Sequence, residues 1–283
     1  MKKDPFINVE KIIRGKNPRL LKWMPKFLLN YVKRILHEKD VNNFMELHGH
    51  NRNLDFVNAI LTDFKTKIVV KGIENIPEHG GVIIASNHPL GGFDGLALIK
   101  AVSEKRLDIR FLVNDILLNL SPLNDFFVPV NKHGAQNAIS KIEETYKSDN
   151  AILVFPAGLV SRKQKGKIMD LEWKKSFIAK SIQYHKPIVP TFIDGKNSSF
   201  FYNFSLWRKR LGIKANLEMF YLSEETFKQR HKTITITFGE VVHPSIFDPK
   251  KSHRELAEQM KTHIYAMGEG KIGPFSKPKE NSL

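Results

Sequence analysis

The sequence predicts an α/β fold: a mainly parallel, twisted sheet flanked by helices, preceded by an N-terminal amphipathic helical region. Two observations carry this. From Lys67 onward, short apolar runs rich in β-branched residues alternate with segments of helical period, the pattern of parallel strands joined by crossover helices. Before that point the periodicity is helical, with a wide apolar face and a basic one. The boundaries that follow are a basic, membrane-associating helical region over 1–65, an α/β domain over 66–268, and a polar tail over 269–283 expected to be mobile.

The first helical element covers residues 18–37, PRLLKWMPKFLLNYVKRILH. Leu20, Leu21, Trp23, Met24, Phe27, Leu28, Tyr31, Ile35 and Leu36 are interleaved with Arg19, Lys22, Lys26, Lys33 and Arg34. Pro25 predicts a kink or a restart, because it offers no N–H and clashes with the preceding turn. Interfacial helices have this composition; so does a helix packed on the domain with a solvated basic face. A second helix is predicted around 54–64, and the HGHNR between them (48–52) reads as a polar turn. Its two imidazoles, lacking a third ligand, make a weak metal site.

The predicted strands are KIVVKG, GVIIASN, IRFLVN, FFVPV, AILVFP, PIVPTFI and TITITFG, with helices over 96–105, 135–146 and 173–184. Residues 200–214, FFYNFSLWRKRLGIK, combine aromatic and basic side chains. They suit a lipid-facing segment with Trp207 at an interface, or an amphipathic helix closing the core.

Composition narrows the partners. The 283 residues include no cysteine, which excludes disulfides, zinc–thiolate sites and a cysteine nucleophile. A net charge of +16 favours an anionic partner, whether nucleic acid, an anionic membrane face or an acidic carrier protein. The basic residues are spread along the chain and no nucleic-acid-binding motif is visible, so no nucleic-acid partner is expected. The start, MKKDPFINVEKII, lacks the pattern of a secretory signal. No stretch reaches the roughly 18 apolar residues of a spanning helix, so a membrane would be met at its surface.

Two loops carry the chemistry. In SNHPLGGFDG (86–95), His88 follows an apolar strand, and Asp94 precedes a helix predicted to begin near Gly95. Pro89, Gly91 and Gly92 let the chain double back and bring the carboxylate to one imidazole nitrogen. The other nitrogen then faces substrate as a general base, with the carboxylate selecting the tautomer. The competing reading is that Asp94 caps the helix and His88 is a loop histidine. In VFPAGLVSRK (154–163), a turn with Pro156 and Gly158 again follows a strand, and a basic run of Arg162, Lys163, Lys165 and Lys167 comes after. Turn N–H groups with Arg162 can hold an anionic or carbonyl oxygen; the alternative is a tight turn followed by a solvated basic stretch.

Together, in this order, HPLGGFD and FPAG resemble the motifs of the lysophospholipid acyltransferase family, over roughly residues 67–242. The family usually has four residues between histidine and aspartate and an FPEG-type second motif; the variant here resembles the bacterial hemolysin-like and aminolipid O-acyltransferase branch. The resemblance implies a glycerol-3-phosphate acyltransferase-like fold and His88 as the base, with Asp94 orienting it. It implies substrate contacts at Asn87, Gly91, Gly92, Phe155, Pro156, Ala157, Gly158, Ser161 and Arg162, at Lys132 of FFVPVNK beside Asn131, and at Pro190 of KPIVPTFI. The hydroxyl would attack an acyl thioester directly, which fits a chain with no cysteine and no Gly-x-Ser-x-Gly elbow.

The departures narrow the acceptor. Ala157 stands where the phosphatidic-acid branch has a glutamate linked to glycerol phosphate, and the arginine comes two places late. The resemblance therefore implies a lyso-aminolipid acceptor of the ornithine or glycine lipid type, with a 1-acylglycerol-3-phosphate, the acceptor of phosphatidic acid synthesis, as the alternative. It further implies an acyl carrier protein or coenzyme A thioester as donor, no cofactor and no metal, and a peripheral place on the cytoplasmic face of a bacterial inner membrane. A binding protein for nucleic acid or a non-catalytic lipid binder is the reading from another class.

Overall fold

The computed structural model describes residues 4–130, 135–164, 166–271 and 273–275. Five helices come first: α1 (Val9–Lys16), α2 (Pro18–Trp23), α3 (Lys26–Ile35), α4 (Glu38–His48) and α5 (Asn53–Phe64). The break predicted at Pro25 is present, as that residue caps α3. Upstream, the Asn17 side chain accepts from the Leu20 N–H at 3.0 Å and Pro18 opens α2, the N-cap and N1 residues that helix starts favour. Helix α5 buries Phe56, Val57, Leu61 and Phe64 and so belongs to the main core. Helices α2 and α3 bury only Ile35 between them and lie on the outside.

The strands are β1 (Lys67–Lys71), β2 (Val82–Ser86), β3 (Ile109–Val113), β4 (Phe127–Pro129), β5 (Ala151–Val154), β6 (Arg162–Gln164), β7 (Lys167–Met169), β8 (Ile188–Asp194) and β9 (Thr233–Phe238). The intervening helices are α6 (Gly92–Ser103), α7 (Ala135–Lys147), α8 (Ser176–Tyr184), α9 (Ser199–Arg210) and α10 (Leu222–Phe227), and α11 (His253–Gly268) follows β9. Seven strands form one sheet in the order β1-β9-β8-β2-β5-β3-β4. Every pairing in it is parallel except β8 with β9. All seven predicted strands fall in this sheet.

Strands β2 and β5 are buried along their whole length, as central strands covered on both faces must be. Their side chains alternate between two cores. Val82, Ile84 and Leu153 pack with α5 and α6, whereas Ile83, Ala85, Ile152 and Val154 pack with Trp173 and with Phe177, Ile178, Ala257, Met260 and Ile264 of α8 and α11. Phe93 and Trp173 are among the largest fully buried side chains; truncating such a residue to alanine costs roughly 3–5 kcal/mol.

Several features differ from the sequence reading, among them helices α1 and α4, which it did not give; α4 takes in His48 of the expected polar turn. Helix α6 begins at Gly92, ahead of Gly95, so Asp94 lies inside its first turn. Helix α8 begins at Ser176, and the Trp173 backbone N–H ahead of it donates to Glu258 Oε1 at 3.1 Å. The basic run after FPAG forms a hairpin, β6 with β7, too short and charged to show a strand pattern. Helix α11 was not anticipated, although Ser252 and Glu255 form a reciprocal capping box at its start. The tail expectation falls mainly on residues 276–283, outside the described residues; Phe275 before them packs on Phe247 and His263.

Candidate active site

The sheet register brings the two loops together. Strands β2 and β5 are parallel neighbours with Ala85 opposite Val154, so the chain leaves both at the same height. Two residues beyond β2 stands His88, and one beyond β5 stands Phe155. Their rings stack, with centroids 4.3 Å apart and planes 16° apart. Ligands gather outside the carboxyl ends of strands in such sheets.

Asp94 is fully buried, and both of its carboxylate oxygens lie 3.1 Å from His88 Nδ1. Oδ2 also accepts the Leu90 N–H at 2.8 Å, which closes the loop back on itself. Because the carboxylate only accepts, Nδ1 carries the proton and Nε2 presents a lone pair. Among the described residues no hydrogen bond claims Nε2. First-turn placement in α6 further suits the charge of Asp94. The His88 side chain is 16% exposed, enough to reach a ligand. Its proton affinity is raised above the ordinary histidine value. Burial, the largest single influence, works against the charged form, but the charge of Asp94 and its bond to Nδ1 outweigh it, helped by Asp170 and opposed by Arg162.

A second buried carboxylate, Asp170, stands behind His88. Its Oδ1 accepts the His88 backbone N–H at 3.2 Å and the Ser161 hydroxyl at 2.6 Å, and Oδ2 accepts Trp173 Nε1–H at 2.9 Å. Ser161 returns to the loop by donating its backbone N–H to the His88 carbonyl at 2.8 Å. Burial pushes the Asp170 carboxyl above the usual aspartate range, against the pull of Ser161, His88 and Trp173. The sequence reading missed Asp170; a lone aspartate in KIMDLEW carries no spacing signal.

The other expected substrate contacts divide in two. Gly92 is exposed, with open space where a Cβ would stand, and Gly158 sits in the left-handed region at φ +63. Gly91, at φ +89, is buried against Leu222 and Val160, and Phe155 stacks on His88. The remaining residues face inward. Asn87 spends both ends of its amide on the backbone of Ile193, at 2.7 and 3.0 Å, bracing β2 against β8. Pro156 and Ala157 are buried, Ala157 in the core under α8 and α11. Pro190 lies within β8, buried beside Gly239. The Gly158 N–H closes the turn on the Phe155 carbonyl at 3.0 Å. Lys132, Asn131 and Lys165 lie outside the described residues.

Arg162 departs most from the expectation of a cation open to solvent or to a ligand oxygen. It is 3% exposed. Its Nε and Nη2 bond Glu218 Oε1 at 3.2 and 3.1 Å, and its Nη1 donates to the Val160 carbonyl at 2.6 Å. Glu218, fully buried, also accepts Arg208 Nε–H at 2.6 Å. Nothing in the sequence ties Arg162 to a carboxylate 56 residues away. Among the described residues no group of three or more His, Asp or Glu side chains is placed to hold a metal ion, and no helix is long and apolar enough to cross a membrane.

A buried carboxylate orienting a histidine, in a loop at the carboxyl ends of parallel strands, is an arrangement suited to taking a proton from a hydroxyl. An acyltransferase family model matches residues 11–271. A lyso-glycine lipid O-acyltransferase of Bacteroides thetaiotaomicron is 44% identical over 266 residues, covering 93% of this chain and 97% of the relative. One of the same description from Phocaeicola vulgatus is 41% identical over 265 residues, covering 93% and 95%. The solved 1-acyl-sn-glycerophosphate (LPA) acyltransferase of Thermotoga maritima is 17% identical with a TM-score of 0.46, covering 90% of this chain and all of that one. The chain belongs to the acyltransferase family and is an O-acyltransferase.

Proposed function

We propose that the protein transfers a fatty acyl chain from an acyl thioester to the free hydroxyl of a lyso-aminolipid of the glycine lipid type. The observation that carries the chemistry is the His88–Asp94 pair, with Nδ1 held by the carboxylate and Nε2 open. Nε2 takes the hydroxyl proton as the oxygen attacks the thioester carbonyl carbon. The tetrahedral intermediate collapses, the C–S bond breaks, and the leaving thiolate takes the proton from the imidazolium. The products are an ester and a thiol, with no acyl-enzyme. In this reading the backbone N–H groups at the start of α6 serve as donors to the developing oxyanion, which the exposure of Gly92 supports.

The acceptor class rests on the two nearly full-length relatives and on Ala157. That side chain packs into the apolar core beneath α8 and α11, where a carboxylate would be costly to bury. The donor is an acyl carrier protein or coenzyme A thioester. The test offers purified protein lyso-glycine lipid and lysophosphatidic acid in parallel, each with both donors, and reads products by mass spectrometry. Turnover of lysophosphatidic acid at an equal or greater rate overturns the acceptor assignment.

The acceptor would be met at an anionic membrane surface, such as the cytoplasmic face of a bacterial inner membrane. Two exposed apolar patches support this reading: Leu20, Trp23 and Phe27 on α2 and α3, and Trp207, Leu211 and Phe220 on and after α9. The hydroxyls of Tyr31 and Tyr221, 2.7 Å apart, tie the two regions together. Exposed Arg19, Lys22, Lys26, Lys209 and Arg210 flank them, which suits anionic head groups.

A further inference from the structure

We propose that Asp170 is a positioning residue for His88: its carboxylate fixes the backbone that carries the imidazole and places a second negative charge behind the imidazolium formed during catalysis. This rests on His88 as the base.

The geometry makes the hold specific. The peptide groups on either side of the His88 Cα are both claimed: its N–H by Asp170 Oδ1, its carbonyl by the Ser161 N–H. Ser161 in turn donates its hydroxyl to the same Oδ1. Asp170, Ser161 and His88 thus form one ring of hydrogen bonds linking the loop after β2 to the turn after β5. The ring is anchored outside itself. Trp173 Nε1–H fixes Oδ2, the Asp170 N–H donates to the Tyr265 hydroxyl on α11 at 2.7 Å, and Gln164 Nε2 donates to the Asp170 carbonyl at 2.8 Å. Asp94 and Asp170 divide the work. Asp94 sets the ring's tautomer and rotation, whereas Asp170 sets the position of the chain from which the ring projects. A shift of about 1 Å in a catalytic group is enough to lower a rate by orders of magnitude.

Charge follows the same arrangement. The two carboxylate oxygens of Asp170 receive three donors, which favour its charged form against the burial that raises its proton affinity. The charged groups facing His88 are Asp94 on α6, Asp170 after β7 and Arg162 on β6. The phenols of Tyr202 on α9 and Tyr265 on α11, both pushed up by burial, lie near Asp170 and stay neutral. Arg162 is already offset by Glu218, so removing Asp170 leaves Asp94 as the one carboxylate facing the imidazolium among the described residues.

The test is Asp170→Asn, read two ways. The pH dependence of His88 modification by diethyl pyrocarbonate, followed by peptide mass spectrometry, reports the imidazole without any lipid. Its midpoint is expected to fall by roughly half a unit or more. In acyl-transfer kinetics, kcat is expected to fall about 10- to 100-fold with KM within about two-fold. An unmoved midpoint, with kcat lost only in proportion to folded protein, overturns the proposal. A lowered midpoint in a protein that transfers no acyl group, wild type included, sinks the acyl-transfer reading while supporting the hold of Asp170 on His88. Ser161→Ala, which removes only the hydroxyl on Oδ1, keeps the test open should Asp170→Asn not fold. It is expected to lower kcat about three- to ten-fold at unchanged KM, and wild-type kcat in it counts against the proposal.

Discussion

The imidazole of His88 lies almost flat on the ring of Phe155, 4.3 Å between centroids. This stack is the physical joint between two motifs 67 positions apart in sequence. It restricts the swing of the imidazole about its bond to the Asp94 carboxylate, and Phe111 buttresses Phe155 edge-on at 5.3 Å. Phe155→Leu keeps an apolar side chain but no flat surface. Its kcat is expected to fall about ten-fold with little change in melting temperature. Wild-type kcat would remove Phe155 from the site.

Loss of the proposed base, His88, is expected to be more severe. His88→Ala and Asp94→Asn are each expected to lower kcat by about 10²- to 10⁴-fold, in variants whose circular dichroism and vesicle binding match wild type. If His88→Ala transfers acyl groups at the wild-type rate, another residue takes the proton.

The rate should depend on pH with a defined sign. A general base works only when neutral, and His88 holds its proton more tightly than an ordinary histidine, whose value is 6.5. Activity is therefore expected to fall on the acid side through a midpoint above 6.5, and Asp94→Asn should move that midpoint down. A profile of kcat/KM between about pH 5 and 9 reads both; a wild-type midpoint at or below the ordinary histidine value counts against the pairing. The same shift favours the folded state below 6.5 and stops contributing as pH rises through the raised value.

Arg162 is held inside the protein by Glu218 and the Val160 carbonyl. Glu218→Gln leaves the buried guanidinium groups of Arg162 and Arg208 without their carboxylate and is expected to destabilise the fold by about 3–5 kcal/mol, seen as a lower urea midpoint. Arg162→Lys should likewise lower stability, since a lysine cannot reproduce bonds to Glu218 and to the Val160 carbonyl at once. A raised KM at unchanged stability would instead make Arg162 a substrate contact. Glu218 itself holds its proton less tightly than usual, because its guanidinium partners and a backbone bond outweigh burial. Its contribution is present above 4.5 and lost as pH falls.

Membrane contact should divide between two patches. Trp23→Ala with Phe27→Ala, and separately Trp207→Ala with Leu211→Ala, are each expected to weaken sedimentation with anionic vesicles several-fold. Binding should also fall as salt rises. Undiminished binding in both double variants would place the membrane elsewhere.

Much of this was legible in the sequence. All seven strands of the main sheet were, because apolar β-branched runs separated by helical segments have few other solutions. So was the Pro25 break, a local effect of one residue on its own turn. The pairing of His88 with Asp94 was legible as a short-range event inside a loop of Pro89, Gly91 and Gly92. Less local features were not. Arg162 read as part of a charge run, and only its approach to Glu218 turned it inward. Asp170 had no motif at all, since its partners come from three separate segments. Asn87 and Pro190 were named as substrate contacts, yet the structure sets them in the braces and interior of the sheet.

The sequence by itself determined the strands of the main sheet, the order of the loops and the chemistry available to them, because helical period, strand period and turn residues act over a few positions. Tertiary structure alone decided that β2 and β5 are neighbours in register, that Phe155 therefore meets His88, and that Asp170 and Arg162 spend their charges inside the protein. Those outcomes depend on which strand lies beside which and on the cost of burying a charge without a partner, and neither is written in any short stretch of chain.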